Sequence, residues 1–138
     1  VSYRVVEQLK KHEGFSAVPY RCTAGYLTIG YGWNLEAGID EDTAEYLLVQ
    51  QVSAIQLECV RKFEWFRNIN EARRDVVTNM VFNLGMTGFT KFKKTIAAIE
   101  DGDFDKAAEE MVDSRWASQV GYRAYELADQ MKLGAWDE

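Results

Sequence analysis

Residues 70–84 constrain the fold more than any other stretch of this chain. Asn70 is a helix cap by type, and after it Ala72, Val76, Val77, Met80, Val81, Phe82 and Leu84 place apolar groups on nearly every face of a helix. A helix that is apolar all round has to be enclosed by other helices, so this segment predicts the centre of a helical core. Gly85 and Gly88 predict its end. Asn79 and Asn83, spaced i and i+4, add a narrow polar stripe that either faces a ligand or satisfies hydrogen bonds within the core.

The flanking sequence supplies the enclosing helices. Asp40 predicts an N-cap with Glu41 and Asp42 in the first turn, where the helix dipole favours acids. From there Ala44, Leu48, Val52, Ile55, Cys59 and Phe63 recur at steps of three or four, an amphipathic helix of about six turns. Further helices are predicted near 90–100, at 103–113 behind an Asp103 cap, and at 122–132 closed by Gly134. At the start of the chain Ser2 predicts the cap of a helix that carries Val5, Val6 and Leu9 on one face and ends near Glu13 and Gly14.

Residues 17–35 have a different character. Ala17–Arg21, a turn at Thr23-Ala24-Gly25, and Tyr26–Ile29 read as a short hairpin, followed by an extended piece near Trp33–Leu35. Pro19 lacks an N–H and restricts its strand to an edge. The expected fold is a mainly helical α+β domain of two lobes. A small hairpin lobe covers about 14–40, a linking helix about 40–62, and a helical lobe about 63–138 together with 1–12. The space between two such lobes is the expected place for a ligand.

Composition excludes several classes of function. At 138 residues and 47% apolar the chain reads as one globular domain. No stretch reaches the roughly eighteen apolar residues of a membrane span, and the first residues do not read as a secretory signal. Two cysteines and one histidine without ligand spacing argue against a metal site, and nothing points to a cofactor. A net charge of −6 argues against nucleic acid as a partner, since neutralising phosphates needs basic surface. A monomer is expected.

The chemistry is concentrated near the start. Glu13 closes the first helix, Cys22 follows after eight residues and Thr28 after five more, within the glycine-rich run Gly25-Tyr26-Leu27-Thr28-Ile29-Gly30-Tyr31-Gly32. A helix C-terminus disfavours a carboxylate, so an acid placed there tends to be paired or protonated, the condition a general acid requires. Taken singly, Glu13 reads as a solvated side chain, Cys22 as a small buried hydrophobe and Thr28 as a strand residue; His12 reads as a surface group. The glycines do not form a phosphate loop, because no Lys-Ser/Thr follows them and no strand–loop–helix context surrounds them. They suit a strand bent close to a bulky ligand.

The Glu13–x8–Cys22–x5–Thr28 spacing and the Thr28–Gly32 run resemble the phage-type lysozymes or endolysins of glycoside hydrolase family 24. The resemblance extends through Asn79–Gly85, Gly88-Phe89-Thr90, Ser114-Arg115-Trp116 and Arg123-Ala124, nearly the whole chain. It implies hydrolysis of the β-1,4 bond between N-acetylmuramic acid and N-acetylglucosamine in bacterial peptidoglycan. Glu13 would protonate the leaving oxygen, and Cys22 and Thr28 would hold the attacking water on the opposite face, inverting the anomeric centre. Cys22 stands where a second carboxylate is common, and a thiolate there needs its pKa lowered from about 8.5. Phe82 by resemblance and Arg123 by charge are expected to contact substrate or tune Glu13, and Asn34, Asn79 and Asn83 complete the candidate substrate-binding set.

Two departures from that pattern stand out. Trp33 replaces a common His after Gly32, and Gln51 stands where its partner Asp is often found, which predicts altered packing in the small lobe. The acidic charge predicts weak non-specific adhesion to an anionic wall. Two rival readings are a lytic transglycosylase, which uses a single acid and makes an anhydro sugar, and a wall-binding module without activity. The intact Glu13, Cys22 and Thr28 set argues against both.

Overall fold

The computed structural model describes residues 3–136, so the predicted Ser2 cap lies outside the described residues. The chain forms two compact units, Val1–Leu47 and Leu48–Glu138. The boundary falls inside one long helix.

The first unit begins with α1 (Tyr3–Glu13) and continues into an antiparallel sheet of β1 (Ser16–Arg21), β2 (Leu27–Gly30) and β3 (Trp33–Asn34), in the order β1-β2-β3. Pro19 lies on β1, an edge strand as its missing N–H requires. The β1–β2 register shifts between Ser16 and Tyr20, the stretch that contains Pro19. Beyond it Tyr20 faces Thr28 and Arg21 faces Leu27. The connecting turn is tight: Gly25 N donates to the Cys22 carbonyl at 2.9 Å, and Cys22 N donates to the Tyr26 carbonyl at 2.9 Å. Gly25 adopts φ +87°, the left-handed residue that a three-residue hairpin loop calls for. A single 3-10 turn, Leu35–Ala37, follows β3.

Helix α2 (Glu41–Lys62) is capped by Asp40, whose Oδ1 accepts from Thr43 N at 2.8 Å. Its C-terminal part belongs to the second unit, together with a 3-10 segment Glu64–Asn68, α3 (Glu71–Phe89), α4 (Lys93–Glu100), α5 (Phe104–Val112), α6 (Arg115–Val120) and α7 (Tyr122–Leu133). The core of this unit is built on α3, from which Val76, Val77 and Met80 are fully enclosed alongside Phe66, Met111 and Met131. Asn70 caps α3 by accepting from Arg73 N at 3.0 Å.

Three details differ from the expected helices. Gly85 does not simply end α3: it breaks the helix at φ 75°, ψ 162°, after which one more turn runs to Phe89. Phe82 is not enclosed but 44% exposed, so α3 keeps one open face. Helix α6 has no counterpart among the predicted elements. Ser114 caps it, accepting from Ala117 N at 3.2 Å, and Gly121 separates it from α7.

Arg73 fastens the start of α3 to the end of α7. Its Nε and Nη2 donate to the Met131 and Lys132 carbonyls at 2.7 and 2.9 Å, and its guanidinium lies 3.7 Å from the Phe104 ring centroid. These are the carbonyls that a helix C-terminus leaves without partners.

Candidate active site

The chain folds Glu13, Cys22 and Thr28 into the same unit. Glu13 is the last residue of α1, and Gly14 follows at φ 70° with its N–H on the Lys10 carbonyl at 2.9 Å. The last turn of α1 carries Lys10, Lys11 and His12, whose charge suits a helix C-terminus; Glu13 is the exception. His12 is exposed.

The Glu13 carboxylate lies over the loop that joins β2 to β3. A Cβ at Gly32 would stand 2.9 Å from Glu13 Oε2 and 3.1 Å from Cδ, so only glycine lets the carboxylate approach this closely. Gly32 also sits at φ +77°. Two independent constraints therefore fix glycine at this position. Phe15 and Tyr31 flank the region with ring centroids 5.5 Å apart, and Lys10 Nζ is 5.7 Å from the Tyr31 centroid. A shallow hollow of about 290 Å³ opens beside Glu13, lined by Gly14, Phe15, Ser16 and Tyr20.

Cys22 sits at the mouth of the hairpin, half-buried and with a free thiol. Its surroundings favour the thiolate, first through the Tyr26 N–H and then, more weakly, through the Ala24 N–H, the Thr28 hydroxyl and the Gly25 N–H. Together they hold the thiol below its usual pKa against an opposing contribution from partial burial. Thr28 is 3% exposed on the central strand β2, braced between Tyr20 on one side and Asn34 on the other. Its hydroxyl donates to the Tyr26 carbonyl at 2.9 Å. One hydroxyl proton serves either that carbonyl or a Cys22 thiolate, so Thr28 can turn between them. Cys59 offers the contrast: on α2 it is fully enclosed, and burial pushes its thiol up to about 11.

Of the remaining candidates, Asn34 pairs with Thr28 across β2 and β3, and the others belong to the second unit. Asn34 caps the 3-10 turn, its Oδ1 accepting from Glu36 N at 3.0 Å. Glu36 in turn accepts from Leu27 N at 2.7 Å and so holds the start of β2, a role the sequence reading did not anticipate. In the second unit Asn79, Phe82 and Arg123 line one cavity of about 500 Å³. Arg123 donates to Asn79 Oδ1 through Nε at 3.0 Å and Nη2 at 2.6 Å. Asn83 accepts from the indole N–H of Trp116 at 2.8 Å. Asp75 and Trp136, joined by a 3.0 Å bond from the indole N–H, also line that cavity and were missed. The signal was present, since Asp75 lies one turn before Asn79 and extends its polar stripe.

Comparison with known proteins identifies the family of a chain that carries Glu13, Cys22 and Thr28. The family model described as Phage lysozyme matches residues 10–131, which include all three of these residues. This chain belongs to the phage lysozyme family.

The enzyme is similar to an endolysin of Acyrthosiphon pisum secondary endosymbiont phage 1, with 28% identity over 121 residues, 85% of this chain and 80% of the relative. It is similar to probable T4-type lysozyme 2 of Dictyostelium discoideum, with 24% identity over 162 aligned positions, 96% of this chain and 95% of the relative. The pre-baseplate central spike protein Gp5 of Enterobacteria phage T4 matches at 28% identity over 87% of this chain but only 26% of its own length. The chain is a lysozyme, and peptidoglycan hydrolysis is its general activity. Among the described residues no helix is long and apolar enough to cross a membrane.

Proposed function

We propose that this lysozyme cleaves the β-1,4 bond between N-acetylmuramic acid and N-acetylglucosamine with inversion. Glu13 acts as the general acid, and Cys22 and Thr28 deliver the water. The observation that carries this reading is the paired Cys22 and Thr28 on one hairpin, in the same unit as a carboxylate seated over Gly32.

The step balances with two proton transfers. Glu13 gives its proton to the glycosidic oxygen as the C1–O bond breaks, which releases the N-acetylglucosamine portion as an alcohol. Water attacks C1 from the opposite face and passes its proton to the Cys22 thiolate, while the Thr28 hydroxyl orients its oxygen. The backbone N–H groups around the sulfur favour the thiolate that this role requires.

Phe82, Asn79 and Arg123 are assigned to the sugar chain, because they share one cavity and combine an exposed aromatic face with a guanidinium. Asn34 and Asn83 use their side-chain oxygens on Glu36 N and Trp116, so only their amide N–H groups are assigned to substrate.

Glu13→Gln tests the assignment of the acid, since it keeps size and hydrogen bonding but removes the transferable proton. Lysis of permeabilised cells should fall about 10²–10⁴-fold while the melting temperature holds. Near-normal lysis removes Glu13 from the mechanism.

A further inference from the structure

Two charged side chains that take no part in the proton transfers hold the hairpin turn beside Cys22. Arg21, the last residue of β1, donates from Nη1 to the Gly25 carbonyl at 2.9 Å. Glu36, on the 3-10 turn after β3, accepts from Leu27 N at 2.7 Å. Neither is ion-paired among the described residues, so each charge is directed at backbone. Hydrogen bonds with one ionised partner are roughly twice as strong as neutral ones.

The two bonds fall on successive peptide groups. A peptide is planar and trans, so its C=O and N–H point in opposite directions, and fixing one fixes the other. The Gly25–Tyr26 peptide gives its oxygen to Arg21, and its N–H is the first of the influences that favour the Cys22 thiolate. The Tyr26–Leu27 peptide gives its N–H to Glu36. Its oxygen accepts from Cys22 N at 2.9 Å and from the Thr28 hydroxyl at 2.9 Å. A donor on an amide oxygen, or an acceptor on its N–H, polarises the amide and strengthens the bond at the other end.

Neither peptide is fixed by the sheet alone. Gly25 sits at φ +87° and has no Cβ, so the peptide that follows it turns easily. Strand β3 ends at Asn34, opposite Thr28, so Leu27 has no strand residue opposite it on that side, and the Glu36 carboxylate takes its N–H. Asn34 in turn fixes Glu36, its Oδ1 accepting from Glu36 N at 3.0 Å. We propose that Arg21 and Glu36 are positioning residues for the hydrolysis, Arg21 aiming the Tyr26 N–H at Cys22 and Glu36 aiming the Tyr26 carbonyl at Thr28. This rests on the roles given to Cys22 and Thr28. Arg21 keeps the sulfur ready to take a proton from water, and Glu36 keeps the Thr28 proton on the carbonyl, leaving the hydroxyl lone pairs to accept from the attacking water.

The test reads the thiol and the turnover separately, in the whole chain. Alkylation of Cys22 by iodoacetamide, mapped by mass spectrometry across pH, reports the thiol without reference to catalysis. In Arg21→Met its midpoint should rise towards the ordinary thiol value of about 8.5. Turnover of soluble peptidoglycan fragments by Arg21→Met should fall on the order of tenfold in kcat, with KM within about twofold. Glu36→Ala should lower kcat by a similar factor, and Glu36→Gln, which keeps an acceptor oxygen, should restore it to within about threefold of the parent. Both bonds are exposed, so melting temperatures should stay within about 5 °C of the parent. In a Cys22→Ala background, Arg21→Met should cost less than about twofold more. An unmoved alkylation midpoint in Arg21→Met, or Glu36→Gln as slow as Glu36→Ala, would overturn the positioning roles while Cys22→Ala remains impaired. Full turnover in Cys22→Ala would instead overturn the catalytic reading, and with it the part of Arg21 in hydrolysis.

Discussion

Replacing Gly32 with Ala puts two separable demands on the enzyme. The backbone there adopts φ +77°, and an L side chain in the left-handed region costs about 1–2 kcal/mol. For a chain of this size that corresponds to a fall of roughly 3–8 °C in melting temperature. The second demand is local, because the new methyl would stand 2.9 Å from Glu13 Oε2 and 3.3 Å from Cγ. Oε2 is the far end of a flexible side chain, so it moves at little cost in stability, but the proton donor then leaves its place. Misplacing a reacting group by about 1 Å costs on the order of 10²-fold in rate. Gly30→Ala is the matched control, since Gly30 shares the strain at φ +67° but has nothing within 4 Å of a built Cβ. Both variants should lose similar stability by thermal denaturation, whereas lysis kinetics should fall about 10- to 100-fold in Gly32→Ala and stay within about threefold in Gly30→Ala. Equal activity in the two variants would refute the claim that the carboxylate position over Gly32 matters to the chemistry.

Asn83→Ala should cost about 1–3 kcal/mol in urea unfolding, because the buried Trp116 indole N–H loses its acceptor, and this should exceed any change in KM. Unchanged stability would show that the pair contributes nothing to the fold. Iodoacetamide should modify Cys22 at neutral pH, as a partly accessible thiol with lowered pKa, and leave Cys59 untouched until unfolding, as mass mapping would show. If the Cys22 thiolate is the base, activity is retained above its lowered pKa and lost as pH falls through it. Cys22→Asp should then extend that acidic limb to lower pH, and Cys22→Ala should reduce turnover throughout; a pH–rate profile unchanged in Cys22→Asp would exclude the thiolate as base.

Much of this architecture is legible because it depends on local chemistry that repeats. The caps at Asp40, Asn70 and Asp103 each present a side-chain oxygen to the backbone N–H three residues on, and all three form as expected. Pro19 announces an edge strand for the simple reason that it cannot donate. What stays hidden depends on contacts distant in sequence or on segments too short to show a period. Helix α6 spans six residues, less than two turns, so no periodicity marks it. Gly85 reads the same whether it ends a helix or breaks one, and the buried Phe89 beyond it decides for a break. The spacing of Glu13, Cys22 and Thr28 is visible in one line of sequence. That Gly32 lies directly beneath the Glu13 carboxylate, or that Asn83 is bound to Trp116 across 33 positions, is a tertiary fact.

The central claim is hydrolysis by water delivered from the face opposite Glu13, and product analysis addresses it most directly. Purified peptidoglycan should be digested in ¹⁸O-labelled water and the muropeptides followed by mass spectrometry and early-time proton NMR. The reading predicts reducing N-acetylmuramic acid ends that carry one labelled oxygen and appear first as the α-anomer. Anhydro ends without label would identify a transglycosylase, first-formed β-anomer would establish retention, and either result would contradict the roles given to Cys22 and Thr28.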